Sequence, residues 1–214
     1  MRVGIVGAGI SGLYLASLLG EQGYEVVLYD PRAPWEKPCG GGITYRTYSA
    51  FPILDGFRQQ CLAVHNMRMI APDGEDCTVS YPDPILIASR QDLGAYLLES
   101  LGSKESVELI RANVDRVVPQ DRGWLLCAGD SRYACDVLVG ADGVNSLVRR
   151  TLSGRFAREE TTLAVGYWVE GASEEPEVVI GFLSGLSGYI WVFPRKDHLS
   201  AGIAARVGEA AGKK

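Results

Sequence analysis

One short run constrains this chain more than any other: Gly7-Ala8-Gly9-Ile10-Ser11-Gly12, a G-x-G-x-x-G. Val3, Ile5 and Val6 before it make an apolar, strand-like run. After it, Ile10 to Leu19 has helical spacing, with Leu13, Ala16 and Leu19 on one face. Gly20 to Gly23 ends the helix, Val26-Val27-Leu28-Tyr29 reads as a second strand, and Asp30 closes it. Strand, glycine turn, helix and strand in this order predict the nucleotide-binding half of a parallel α/β sheet.

Each residue type has a physical task. Gly7 allows the tight turn out of the strand, Gly9 leaves room for a pyrophosphate at the backbone, and Gly12 lets helix and strand pack closely. The helix start offers unpaired N–H groups and the positive end of its dipole to phosphate. Asp30, about 20 residues beyond the glycines, is placed to accept a hydrogen bond from a ribose 2′-hydroxyl. A carboxylate there disfavours a 2′-phosphate, so the site suits FAD or NAD rather than NADP. The alternative is a glycine turn with a structural role alone.

Composition removes several function classes. The net charge is −5, from 21 basic and 26 acidic residues, and no basic patch stands out, which argues against nucleic acid as a partner. The five cysteines, Cys39, Cys61, Cys77, Cys127 and Cys135, are odd in number and form no C-x-x-C, so they read as reduced thiols of a cytoplasmic protein. Two histidines without ligand spacing predict no metal site. No run of about 18 apolar residues is present to span a membrane.

Further along, Pro31 to Gly42 is a loop ending in Cys39-Gly40-Gly41-Gly42. Consecutive glycines are costly in entropy and fit where backbone approaches another group closely; the bland reading is a flexible surface loop. Ile43 to Gln60 is partly helical, broken at Pro52 and Gly56. Leu62 to Ile70 and Cys77 to Tyr81 predict a hairpin through Ala71-Pro72-Asp73-Gly74, with Pro82 and Pro84 marking the return. Ser89 caps a helix running to Leu101, in which Arg90 opposes the dipole: either it is solvated, or an anion lies nearby. Val107 to Ile110 is a strand, Asn113 to Val118 and Trp124 to Ala128 a second hairpin, and Tyr133 to Val139 a strand leading into Gly140-Ala141-Asp142-Gly143. That carboxylate either caps the short helix carrying Ser146 and Arg149 or serves a ligand.

Beyond Thr161 four strands follow: Leu163 to Val169, Glu177 to Leu183, Gly188 to Phe193 and Leu199 to Ala205. Period two puts Tyr189, Trp191 and Phe193 on one sheet face, as core or as the wall of an apolar pocket. The predicted fold class is α/β, a Rossmann-like domain with a parallel sheet (1–61 and 85–160) plus an antiparallel β-rich domain (62–84 and 161–214).

Gly7 to Gly12, Asp30, Arg90 and Gly140-Ala141-Asp142-Gly143 with Ser146 and Arg149 resemble the p-hydroxybenzoate-hydroxylase-like FAD superfamily. Pro38-Cys39-Gly40-Gly41-Gly42 and Tyr189-x-Trp191-x-Phe193-Pro194 resemble its geranylgeranyl reductase branch, which saturates prenyl chains. The resemblance implies that Gly7, Gly9, Ser11 and Gly12 hold the pyrophosphate of FAD and Asp30 its ribose. It puts Arg90 near the phosphates and Val114 against the adenine through its backbone. It makes Asp142 and Gly143 the second FAD motif, linked also to an NAD(P)H donor. Cys39, Gly40, Gly41 and Gly42 would pass the flavin ring, and Tyr189, Trp191 and Phe193 would line the prenyl tunnel. Cys39 is the candidate proton donor, with simple packing as its alternative. The family's third motif, Gly-Asp followed by small residues, is matched only loosely by Gly208 to Gly212, so the β-rich domain and the flavin site read as incomplete.

The implied activity is FAD-dependent reduction of carbon–carbon double bonds in a polyprenyl lipid or prenylated small molecule. The implied location is the cytoplasm, with peripheral contact to the membrane holding the substrate. Two alternatives use the same residues: a flavin monooxygenase or halogenase, and a non-catalytic dinucleotide-binding module.

Overall fold

The computed structural model describes residues 1–102, 105–171 and 175–206, so Gly208 to Gly212 lie outside it. In chain order the strands are β1 (Arg2–Val6), β2 (Glu25–Tyr29), β3 (Gly42–Ile43), β4 (Leu62–Ile70), β5 (Asp76–Ile87), β6 (Val107–Ile110) and β7 (Arg116–Pro119). They continue as β8 (Trp124–Ala128), β9 (Ser131–Cys135), β10 (Val137–Gly140), β11 (Thr162–Glu170), β12 (Glu177–Phe182), β13 (Gly188–Pro194) and β14 (His198–Arg206). The α-helices are α1 (Ile10–Glu21), α2 (Tyr45–Ala50), α3 (Arg90–Leu101) and α4 (Leu147–Ser153). The chain divides into two compact units, Met1–Trp35 with Gln91–Arg155 and Glu36–Arg90 with Phe156–Lys214.

In the first unit β10, β1, β2 and β6 lie in that order and pair in parallel. Strands of a parallel sheet are covered on both faces, which is why β1 and β2 read as continuous apolar runs and not as alternating ones. Val3, Ile5, Val26, Val27 and Leu28 are all buried. Helix α1 lies on β1, β2 and β6 and buries Leu13 and Ala16 as its spacing predicts. It ends at Gln22, and Gly23 takes the left-handed conformation that suits glycine after a helix. A separate antiparallel meander, β7-β8-β9, shares a core with the sheet: Val117, Leu126 and Cys135 pack with Val6, Val27, Tyr29, Val114 and Val148. Burial there pushes the Tyr29 phenol up to about 12.

One sequence expectation fails in this unit. The apolar run from Tyr133 to Val139 predicts a single strand, but the chain changes partners within it. Strand β9 pairs antiparallel with β8, and β10 pairs parallel with β1. The switch falls at Asp136, whose N–H donates to the Arg2 carbonyl and whose carboxylate accepts from the Arg2 N–H at 2.7 Å. Val137, expected inside, is 39% exposed.

The second unit is a seven-stranded sheet in the order β11-β14-β13-β12-β4-β5-β3. All four strands expected after Thr161 are present within a residue or two of their predicted ends. The sheet is antiparallel except where β12 runs parallel to β4. Those two strands are far apart in sequence, with residues 91–155 of the first unit between them, so no hairpin forces them to oppose one another. The β4–β5 hairpin turns where expected, with Gly74 at positive φ. Strand β5 does not end at Pro82 but continues to Ile87. Register slips there: Val64 pairs with Ile85 and Asn66 with Ser80, so Pro82 and Pro84 both fall in the unpaired stretch 81–84, where no ladder N–H is required of them.

The short β3 pairs Gly42 with Ile87 and Ile43 with Leu86. That pairing draws residues 36–61 and 85–90 into the β-rich unit. The dividing lines therefore lie after Trp35, Arg90 and Arg155, where the sequence pattern puts them after 61, 84 and 160.

Candidate functional site

The first unit brings together eight of the residues expected to bind a cofactor: Gly7, Gly9, Ser11, Gly12, Asp30, Val114, Asp142 and Gly143. The three glycines of the fingerprint differ in what surrounds them. A Cβ on Gly7 would sit 2.4 Å from the Ala141 carbonyl oxygen, and its φ of +99° is one that side chains rarely adopt. A Cβ on Gly12 would sit 2.0 Å from the Gly7 carbonyl oxygen. A Cβ on Gly9 would meet nothing within 4 Å. Gly7 and Gly12 are thus required by the protein's own packing, and Gly9 faces open space. Ser11 is exposed in the first turn of α1, which carries no acidic residue to neutralise its positive end.

Asp30 does more than the sequence predicts. Its Oδ2 accepts from the Ala8 N–H at 3.0 Å, so it holds the phosphate-type loop from below. Its Oδ1 accepts from the N–H groups of Arg32 at 2.9 Å and Ala33 at 3.0 Å. A carboxylate offers about four lone-pair sites. Three are taken, which leaves one on Oδ2 for a ribose hydroxyl.

Of the two roles that its sequence left open, Asp142 fills the cap. Its Oδ2 accepts from the N–H groups of Leu147 at 2.6 Å and Val148 at 3.3 Å, and Ser146 accepts from Arg149 N–H at 2.8 Å, so the two cap α4. The other oxygen, Oδ1, is buried and has no hydrogen-bond partner among the described residues. A buried carboxylate oxygen left in this way suits a donor from a bound ligand, such as a sugar hydroxyl. Gly143 stands next to it at φ +77°, with nothing within 4 Å of an added Cβ. Open space over Gly9, an uncompensated helix start and an unpartnered Asp142 oxygen are together the features a dinucleotide needs, and the residues present fit FAD.

Val114 is not on a strand, as expected, but in the connection before β7, and its side chain is buried in the core. Arg90 belongs to the second unit, where it opens α3 and its N–H reaches Glu36 Oε1 at 3.4 Å.

The second unit contains the other predicted residues, and all of them except Arg90 line one pocket. Its volume is about 480 Å³, within the range of small-molecule sites. Pro38, Cys39, Gly40, Gly41 and Gly42 line it together with Tyr189, Trp191 and Phe193. The aromatics are graded along β13. Tyr189 is 42% exposed at the rim, Phe193 is half-buried, and Trp191 is 4% exposed. Tyr189 and Trp191 stand 6.3 Å apart at their ring centroids. The Trp191 indole lies across a cross-strand pair of glycines, Gly166 and Gly202, where added Cβ atoms would come within 3.1 and 2.2 Å of it.

Two glycines of the 40–42 run lie against a ring of the protein's own, that of Phe193. Cβ atoms on Gly40 and Gly42 would meet Phe193 at 2.7 and 2.9 Å. Gly41, at φ +82°, faces the Ala88 carbonyl oxygen and the Arg195 guanidinium.

Two residues of this region escape sequence reasoning. Arg195 and Ser200, both buried, donate to the Cys39 carbonyl oxygen, each at 3.1 Å. Nothing in their spacing marks them. A charge after Phe193-Pro194 reads as a turn residue, and only the sheet brings it under the loop. Among the described residues no helix is long and apolar enough to cross a membrane.

Residues 5–63 match the family described as the NAD(P)-binding Rossmann-like domain. The chain is 28% identical to a chloroplastic geranylgeranyl diphosphate reductase of Oryza sativa subsp. japonica, over 94% of this chain and 48% of the relative. It is 30% identical to a 3-amino-4-hydroxybenzoate 2-monooxygenase of Streptomyces cremeus, over 91% of this chain and 51% of the relative. A geranylgeranyl bacteriochlorophyll reductase-like crystal structure from Thermoplasma acidophilum superposes with a TM-score of 0.71 at 17% identity, over 96% of this chain and 56% of that one. The chain spans about half the length of the curated relatives it matches.

Proposed function

We propose that this chain, a relative of the FAD-dependent oxidoreductases, serves a reductase that saturates isolated carbon–carbon double bonds of geranylgeranyl or longer prenyl chains. The observation that carries it is the apolar pocket that the Cys-Gly-Gly-Gly segment lines together with the Tyr-x-Trp-x-Phe strand. A branched hydrocarbon offers no polar handle, so it is held by shape and by aromatic and aliphatic walls. Ala164, Ala204 and Ile180 complete such a lining.

The first unit binds FAD. Gly7, Gly9, Ser11 and Gly12 receive the pyrophosphate at the start of α1, Asp30 keeps a lone pair for the adenosine ribose, and Asp142 Oδ1 takes a ligand hydroxyl. FAD bound there, if reduced by a nicotinamide donor, would supply the hydride equivalent that saturation of an alkene requires. In the second unit Cys39 holds the proton that the other carbon needs, and its thiolate regains one from water. The aromatic wall excludes water from the chain. Tyr189 and Phe182, register partners that line the pocket and are 42% and 43% exposed, form a rim through which the protein contacts the membrane holding its substrate.

The test is anaerobic incubation of the intact protein with reduced flavin and a geranylgeranyl substrate, read by mass spectrometry. The expected product gains two hydrogens per double bond. Cys39→Ala is expected to slow this step by about 100-fold or more and to leave reduction of the flavin by the nicotinamide donor at the parental rate. A substrate left unsaturated without air but gaining oxygen in air would assign the protein to the monooxygenases instead.

A further inference from the structure

The Cys39 segment is held from beneath by the same hairpin that carries the aromatic wall. Arg195 directly follows Pro194, the last residue of β13, and its N–H donates to the His198 carbonyl at 2.7 Å, which closes the turn into β14. Ser200 lies on β14 opposite Phe193. From these two places Arg195 Nη2 and Ser200 Oγ converge on one acceptor, the Cys39 carbonyl oxygen. Ser200 Oγ also receives the Trp191 indole N–H, at 3.5 Å. A continuous hydrogen-bonded path therefore runs from the pocket's deepest aromatic through Ser200 to the peptide of the pocket's one thiol. The guanidinium presses on Gly41 as well, with its terminal nitrogens 2.6 and 2.7 Å from where a Cβ would stand.

This is an uncommon use of a buried cation. Arginine is rarely taken out of water unless its donors are well placed, and 6% exposure leaves it little solvent. A carbonyl that accepts two side-chain donors is fixed in direction, and its carbonyl carbon is bonded to the Cα that carries the thiol. Three consecutive glycines follow Cys39 and give the segment wide conformational freedom of its own. Without the two donors, local backbone preference would not select one direction for the Cys39 side chain.

We propose that Arg195 and Ser200 are positioning residues for Cys39: together they aim its thiol into the pocket and couple that aim to the seating of Trp191. The functional consequence rests on the prenyl-reductase reading above, whereas the clamp itself is testable without it. In the intact protein, Ser200→Ala, Ser200→Thr and Arg195→Met are compared with the parent by two measurements. The first is the rate of Cys39 alkylation by iodoacetamide, followed on its own peptide by mass spectrometry. The second is kcat and KM for double-bond reduction.

Loss of one such hydrogen bond is worth a factor of about three to ten. Ser200→Ala is expected to change the Cys39 alkylation rate by at least about threefold and to lower kcat more than it raises KM. Ser200→Thr, which keeps the hydroxyl, returns both toward the parent, an effect that packing alone would not give. Arg195→Met is expected to act in the same direction and more strongly. If it fails to fold, the serine pair decides. An unchanged alkylation rate in folded Ser200→Ala overturns the proposal. A changed rate with threonine rescue, in a protein that saturates no prenyl substrate, upholds the clamp and removes the reductase reading.

Discussion

The chain has two glycine runs, and they use the same residue for opposite ends. In the first, Gly7 to Gly12, two glycines are fixed by close backbone approach and the one between them, Gly9, looks onto empty space. In the second, Gly40 to Gly42, every position is already occupied by the protein: Phe193 covers Gly40 and Gly42, and Ala88 with Arg195 covers Gly41. The first run leaves open space over its middle glycine. The second makes room for side chains already present, and together with them it lines the pocket. A glycine-rich motif therefore carries no single meaning. What decides is whether a Cβ there would meet protein or nothing.

Three substitutions test that contrast, and the largest effect is expected in the second run. Gly41→Ala sets a side chain at φ +82° and 2.0 Å from the Ala88 carbonyl oxygen. Backbone strain and overlap with main chain together are expected to cost more than about 3 kcal/mol, read as a fall in the urea midpoint at unchanged slope. A parental midpoint would mean that the run is loose and not filled.

Gly40→Ala comes next. Its obstacle is the ring of Phe193, which can shift, so a loss of about 1–3 kcal/mol is expected. A double-mutant cycle sharpens the point. In a Phe193→Leu background the same change should cost less, with a coupling of at least about 0.5 kcal/mol. Strict additivity would show that Phe193 is not what excludes the methyl group.

Gly9→Val is expected to have the smallest effect on the fold, within about 0.5 kcal/mol, because its Cβ meets nothing and its φ of −71° suits any residue. FAD affinity, followed by titration, is where it should appear, as a loss of about tenfold or more. A variant that stays folded and binds FAD like the parent would break the comparison at its first term, since the space over Gly9 would then serve no ligand.

Much of the architecture could be read from local pattern. The βαβ unit, the turn at Gly74, the helix ending at Leu101 and the four strands after Thr161 each follow from periods of 3.6 or two and from cap and turn residues, which act within a few positions of themselves. The misreadings came where a local pattern met a distant partner. The run from Tyr133 to Val139 looks uniform, yet Asp136 hands the chain from β8 to β1. Pro82 looks like a strand end, yet it sits in a register slip against β4. Asp142 was legible as cap or ligand; one of its oxygens caps α4, and the other is buried without a partner among the described residues.

By itself the sequence determined the parallel nucleotide-binding frame, the position of Asp30 at the end of its second strand, and the placing of Tyr189, Trp191 and Phe193 on one sheet face. Spacing along one strand or helix fixes such relations whatever the rest of the chain does. Only the tertiary structure decided that Cys39 to Gly42 line one pocket with those aromatics, that Phe193 is the ring against Gly40 and Gly42, and that Arg195 and Ser200 grip the Cys39 carbonyl. Arg195 and Ser200 stand more than 150 residues from Cys39 in the chain. Their meeting depends on which strands pair and in what register, a choice made by the summed burial of the whole sheet and not by any motif within it.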